Sequence, residues 1–136
     1  MTAATRAAEF IFGNMRRNSG RLLHSWRNGR AKFDAYLDDY AILVNALVTL
    51  YEASFDERWI DEAVRFADIV MENFHDDEAG GFFYTANDHE ALIARNKDIH
   101  DNATPSSSAV AATGLLRLGK LCGCSLYVQA AEEVLH

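Results

Sequence analysis

Positive charge is scarce in this chain. Thirteen Lys and Arg stand against 20 Asp and Glu, a formal net charge of −7. No basic face is therefore available for nucleic acid. Cysteine is scarcer still, with two in 136 residues. Cys122 and Cys124 flank one glycine; two thiols are too few for a closed zinc site, and the spacing is not Cys-x-x-Cys. The bland reading makes them structural or incidental, as free cysteines commonly are; a redox or metal pair is the alternative. Neither a metal nor a cofactor is expected. No apolar run is long and uninterrupted enough to span a bilayer. No apolar h-region follows Met1-Thr2-Ala3-Ala4, so no secretory signal is expected and a cytoplasmic location is the default. Proline occurs once, at Pro105.

Apolar residues are plentiful, at 49% of the chain. One domain of this size, or part of one, hides roughly two thirds of its unfolded surface. The stretch 37–74 organises the rest. Tyr40, Ile42, Leu43, Val44, Leu47, Val48, Leu50 and Tyr51 make a helix apolar on nearly all sides, which must be buried on nearly all sides. After a turn at Ser54-Phe55-Asp56, a second helix puts Ile60, Ala63, Val64, Ala67, Val70, Met71 and Phe74 on one stripe. Its other face carries Asp61, Glu62, Arg65, Asp68 and Glu72. The pair reads as a hairpin of one inner and one outer helix. Asp56 suits the N-cap of the second, with Phe55 and Ile60 at staple positions across it.

Five helices are expected, near 3–17, 38–53, 57–74, 105–121 and 125–136. Asn28-Gly29 between two β-prone runs marks a hairpin, since both turn positions tolerate positive φ. A second β-like run, Phe82-Phe83-Tyr84-Thr85, has a possible return strand at Ala91-Leu92-Ile93-Ala94. Thr104 and Pro105 suit the cap and first turn of the fourth helix; its small residues imply close helix contact. The chain also repeats itself. A shift of 68 carries Leu47, Leu50, Trp59 and Ala63 onto Leu115, Leu118, Tyr127 and Ala131, and a shift of about 60 carries Gly20-x-Leu22-Leu23 onto Gly80-x-Phe82-Phe83. Such repetition means stacked helix pairs that bury their inner faces on one another. The fold class is all-α, with β-hairpins confined to the long loops.

Those long loops gather at the N-terminal ends of the inner helices, where unpaired N–H groups suit a polar or anionic ligand. Residues expected there include Trp26, Asp38, Asp39, Tyr40, Tyr84, Arg95, His100, Asp101 and Asn102. Asp38 and Asp39 either cap the helix against its dipole or supply one carboxylate of a glycosidase pair, with Asp101 or a residue elsewhere as partner. His24 and His100 occupy equivalent loops. They serve either as proton carriers, suited to epimerisation beside a carbonyl, or as ordinary backbone-bonded histidines. Trp26, Phe83 and Tyr84 either stack on sugar faces or form hairpin core. Trp59 reads as packing between neighbouring units.

Four motifs in order carry a family likeness: Leu37-Asp38-Asp39-Tyr40-Ala41; Leu50-Tyr51-Glu52-Ala53-Ser54-Phe55-Asp56-Glu57-Arg58-Trp59; Gly80-Gly81-Phe82-Phe83-Tyr84-Thr85; and Lys97-Asp98-Ile99-His100-Asp101-Asn102-Ala103-Thr104-Pro105-Ser106. Together they resemble the C-terminal half of YyaL-type proteins, thioredoxin-domain-containing relatives of a spermatogenesis-associated protein. The resemblance covers the chain from about Phe10 onward. It implies an (α/α)6 toroid similar to N-acylglucosamine 2-epimerases and six-hairpin glycosidases, and a sugar-active ancestry. The chain departs from the family at Ser106-Ser107-Ser108, where Ser-Gly-Asn is expected, and at Cys124, where Asp is usual; no thioredoxin-like domain is expected within residues 1–136. Residues 1–136 then form one partial toroid domain of about five helices.

Two functions follow as expectations. The first is a fragment of a carbohydrate-active toroid, with Asp38, Asp39, His100 and Asp101 catalytic and Trp26, Tyr40, Tyr84, Arg95 and Asn102 on the substrate. If the parent is an enzyme, it is a sugar epimerase or isomerase, or a glycoside hydrolase. The alternative is a non-catalytic helical-repeat module that binds a protein partner. Expected partners are a sugar, the remainder of the toroid or a second copy, with no nucleic acid and no membrane.

Overall fold

The computed structural model describes residues 3–27, 29–84, 86 and 107–135, with the backbone alone at 26, 27 and 30–34. Among them are five helices and one two-stranded sheet: α1 (Ala3–Asn14), β1 (Leu23–Arg27), β2 (Arg30–Asp34), α2 (Leu37–Ser54), α3 (Glu57–Asn73), α4 (Ser107–Cys122) and α5 (Ser125–Leu135). The protein is predominantly helical, as the periodicity predicts, and each helix lies within three residues of its expected bounds. None of the described helices is long and apolar enough to cross a membrane.

The Asn-Gly hairpin forms. Strands β1 and β2 pair antiparallel with Leu23 opposite Asp34 and Arg27 opposite Arg30, and Gly29 takes a φ of 74° in the turn. Of the second β-like run, Phe82 makes one bridge, to His75. The expected return strand at 91–94 and the helix start at Thr104-Pro105 lie outside the described residues.

The hairpin of α2 and α3 turns at two residues. Phe55 adopts a left-handed φ of 56° and donates its N–H to the Tyr51 carbonyl. Asp56 caps α3 by accepting the Arg58 N–H at 3.0 Å, which satisfies one of the orphan donors of the first turn. The expected staple is a correction: Phe55 is 75% exposed, its ring edge-on to Tyr51 at 6.1 Å. A left-handed residue at this point aims its side chain away from the coming helix.

Helix α2 lies at the centre, packed on α3 and α4. Close approach to α4 is set by Gly114, where a Cβ would stand 2.9 Å from Asn45 Nδ2 and 3.2 Å from Val44 Cγ1. Asn45 Nδ2 donates to the Ala41 and Val110 carbonyls. Arg117 reaches back to Asn45 Oδ1, Thr49 Oγ1 and Glu52 Oε1 at 3.2, 3.0 and 2.6 Å. Gly119 allows the same intimacy between α4 and α5, since a Cβ there would stand 2.8 Å from Val128 Cγ2. Helix α1 lies on α3 through Phe12, whose ring meets Trp59 and Phe66, and through ion pairs of Arg16 with Glu62 and Glu9 with Arg58. Trp59 is thus buried between outer helices. The Tyr127 hydroxyl on α5 donates to Asp68 on α3; burial, then this bond, hold that phenol well above its ordinary pKa.

The turns after α1 and α3 fold alike. Arg17 N–H donates to the Arg21 carbonyl at 2.8 Å, and Asp76 N–H to Gly81 at 2.9 Å. Leu23 N–H returns to Met15, and Phe83 N–H to Phe74, each at 2.8 Å. Each loop is also tied to the helix that follows it. The Tyr40 hydroxyl accepts the Leu22 N–H at 2.9 Å, and Ser108 Oγ donates to the Phe82 carbonyl at 3.3 Å.

One expectation about α2 fails. Ile42 is 61% exposed, and Ala46, Thr49 and Ala53 are exposed with it. An apolar groove of about 600 Å³ runs between this face and Ala4, Ala7, Ala8 and Ile11 of α1. The helix is apolar nearly all round, but among the described residues it packs closely on α3 and α4 and only loosely on α1.

Candidate functional site

The polar cluster sits at the N-terminal end of α2. Tyr36 is extended, with φ −95° and ψ 172°, and its N–H donates to Asp39 Oδ2 at 2.8 Å. This is the carboxylate half of a capping box. The same oxygen stands 2.8 Å from Nδ1 of His24, delivered by β1. An ionised Asp39 accepts the Nδ1 proton, a tautomer in which Nε2 carries the lone pair.

The loop after α3 closes the cluster from the other side. Its Tyr84 carbonyl accepts the Leu37 N–H at 2.9 Å, so an orphan donor of α2 is met by a loop residue. The Tyr84 ring stacks on Tyr36 at 5.0 Å and 11°, and His24 meets Tyr36 edge-on at 5.0 Å. Three rings from two loops and a helix start thus form one column.

Asp38 is the other acid. Its Oδ1 is shut from solvent and takes no hydrogen bond among the described residues. Burial first, then the neighbouring Asp39 charge, raise its pKa above the ordinary carboxylate value, while His24 pulls the other way. The two adjacent acids therefore differ, one paired and one strained toward its neutral form.

A cavity of about 260 Å³ opens beside the pair. His24 and Asp39 are its polar lining, set among Ile11, Met15, Leu22, Leu23, Ile42 and Leu43. It shares Ile11, Leu43 and Ala46 with the apolar groove. A pocket mostly apolar with a few convergent polar groups is the usual form of a small-molecule site.

Of the residues expected at this place, Asp38, Asp39 and Tyr84 come together. Tyr40 does not reach the surface. It is 1% exposed, its ring lies against Phe66 and Phe74, and its hydroxyl is engaged by Leu22. It holds the first loop to α2 from inside. Arg95, His100, Asp101 and Asn102 lie outside the described residues, and so does the Trp26 side chain. The reading of residue types singled out His24 but gave it no partner, and it did not foresee Tyr36. The shift of about 60 lays His24 on Tyr84, and these are the two rings that flank Tyr36. Among the described residues no three His, Cys, Asp or Glu gather as a metal site would need. Cys122 and Cys124 are free thiols.

No family model matches the chain. It is 37% identical over 133 residues to spermatogenesis-associated protein 20 of Rattus norvegicus, a match covering 90% of this chain and 17% of that protein. The Homo sapiens protein of the same name is 40% identical over 89 residues, covering 65% of this chain and 11% of the relative. The chain is homologous to spermatogenesis-associated protein 20. An uncharacterised protein of Caenorhabditis elegans is 29% identical over 138 residues, with 96% of this chain and 18% of that protein covered. The chain spans less than a fifth of the length of these relatives. Their names state no substrate and no partner.

Proposed function

We propose that this chain is part of an α/α toroid in a carbohydrate-active protein, and that the N-terminal end of α2 binds the sugar. One observation carries the reading: the His24–Asp39 pair lines a cavity, and His24 meets the Tyr36–Tyr84 stack edge-on. Stacked phenol rings suit the apolar face of a sugar. A histidine whose Nδ1 is held by a carboxylate suits proton transfer through Nε2 at a carbon or oxygen of that ring. Asp38, held toward its neutral form, suits proton donation, and Asp39 orients His24. The loop bearing Arg95, His100, Asp101 and Asn102 would complete the site. Two matching post-helix turns and the two loop anchors, Tyr40 and Ser108, support the repeat on which a toroid depends. The reaction would be epimerisation, isomerisation or glycoside hydrolysis. Two free thiols fit a cytoplasmic location.

The test is saturation-transfer NMR of mono- and disaccharides against a full-length relative and its Asp39→Asn, His24→Gln and Tyr84→Ala variants. Binding lost in all three with melting temperatures kept within a few degrees supports the site. Binding unchanged in all three, or absent in the parent, removes it.

The α1–α2 groove favours a second reading, a helical-repeat module that binds a partner helix, with the rest of a toroid or a second copy as the occupant. Apolar patches beyond a few hundred Å² mark such surfaces. A monodisperse monomer at high concentration by light scattering counts against a second copy.

A further inference from the structure

Helix α5 has a second tie to the body besides its packing on α4 and the Tyr127–Asp68 bond, and it runs through a histidine. His75 follows α3, and its side chain is only 10% exposed. Its ring lies against Phe82 at 5.3 Å, and its backbone bridges that residue. On one side, Nδ1 stands 2.8 Å from Asp77 Oδ1 in the same turn. On the other, Nε2 stands 3.6 Å from Glu133 Oε2 of α5 and takes no hydrogen bond among the described residues. The Glu133 carboxylate lies over Gly80, whose φ of 80° favours glycine; a Cβ there would stand 2.5 Å from Oε2, so the carboxylate would have to shift.

A neutral imidazole cannot satisfy both neighbours. With its proton on Nδ1 for Asp77, Nε2 presents a lone pair to a carboxylate oxygen, acceptor against acceptor. An imidazolium donates at both nitrogens and ends the conflict. We propose that His75 is a protonation-controlled latch that fastens α5 to the 74–84 turn: closed when the imidazole is charged, released when it is neutral. Among the described residues, the charged groups against it are Asp77 from its own turn and Glu133 from α5. Asp76 beside it uses its Oδ1 on the Glu78 and Ala79 N–H groups. The same turn runs on to Tyr84, so the latch also fixes the root of the stretch that reaches the N-terminus of α2. The sign follows from the two partners. The bond needs a protonated histidine and an ionised glutamate, so it is lost as rising pH takes the proton from the imidazole.

Amide hydrogen exchange of the α5 stretch 129–135 tests this at about pH 5.5 and about pH 8. Each rate is divided by that of the unfolded chain at the same pH, and α1 serves as the control. The wild-type α5 is expected to be about threefold better protected at the lower pH, the scale of a partly exposed ion pair. Glu133→Gln and His75→Gln should each abolish the difference, with α1 unchanged. Equal protection at both pH values in the wild type overturns the proposal. So does a difference that survives in Glu133→Gln, a side chain exposed enough to be replaced without loss of the fold.

Discussion

Two faces of one helix end differently. On the side of α4, α2 is closed to van der Waals contact, with Gly114 against Val44 and Asn45 and with Arg117 strung along Asn45, Thr49 and Glu52. On the side of α1 it is open, with Ala46 and Ala53 bordering a groove and Ile42 exposed beside them. The apolar pattern is much the same on both. What distinguishes them is a partner of the right shape: a glycine that lets backbones approach, and an arginine long enough to meet the polar atoms at the rim. Apolarity marks a surface that wants covering; small residues and satisfied polar groups mark one that has been covered.

The largest break in that comparison should come from truncation. Leu47→Ala empties a position that is fully buried on α2 and is expected to cost about 2–5 kcal/mol. Ile42→Ala, on the open face of the same helix, is expected to stay within about 0.5 kcal/mol. Paired urea titrations read both, and equal losses would mean that the Ile42 face is covered in solution.

Enlargement should follow at a smaller scale. Gly114→Val drives a branched side chain into Asn45 and Val44, costing about 1–3 kcal/mol by overpacking. Ala46→Val, by the 68-residue shift the equivalent position on α2, should cost no more than the propensity difference, below about 0.7 kcal/mol. Thermal melts of the two variants sharpen the contrast, because the sequence alone ranks glycine as the easier site to fill.

Much of this fold is legible in the residue pattern, and the reasons are local. The α2–α3 turn follows from Ser54-Phe55-Asp56, the first hairpin from Asn28-Gly29, and close contact of α4 from its small residues, Gly114 among them. The repeat also forecasts that Leu115, Leu118, Tyr127 and Ala131 are buried, as they are. The site is less legible, because its pairs are long-range. Nothing near His24 says that Asp39 will meet it, since that depends on how β1 returns to α2. Tyr36 reads as an ordinary residue before a helix until Tyr84 arrives from the next loop. Tyr40 and Phe55 mislead in opposite directions: a tyrosine in a site motif is core, and a phenylalanine at a staple position is surface. In each case backbone direction at one residue decides, and residue type does not record it.

The smallest expected effects separate two neighbours on the first turn of α2. Asp39 is bonded to Tyr36 N–H and His24 Nδ1. Asp39→Asn weakens both and is expected to cost about 1 kcal/mol at neutral pH, as lost caps do. Asp38 is the reverse case, since burial and the Asp39 charge raise its pKa in the folded chain. In the unfolded chain an aspartate titrates near 3.9. Between that value and the raised one, the folded state holds more proton than the unfolded state, so stability falls as pH rises through this window. Asp38→Asn removes the charge that the fold resists. The variant should therefore melt higher than the wild type at neutral pH, with its advantage shrinking toward zero below about pH 4, where the wild-type acid is neutral in both states. Melting curves from about pH 3 to 8 read both variants together. Opposite signs at pH 7 confirm that adjacent acids do different work. A loss for Asp38→Asn at pH 7 would mean that its carboxylate has an ionic partner, and the strained acid proposed for the site would have to be given up.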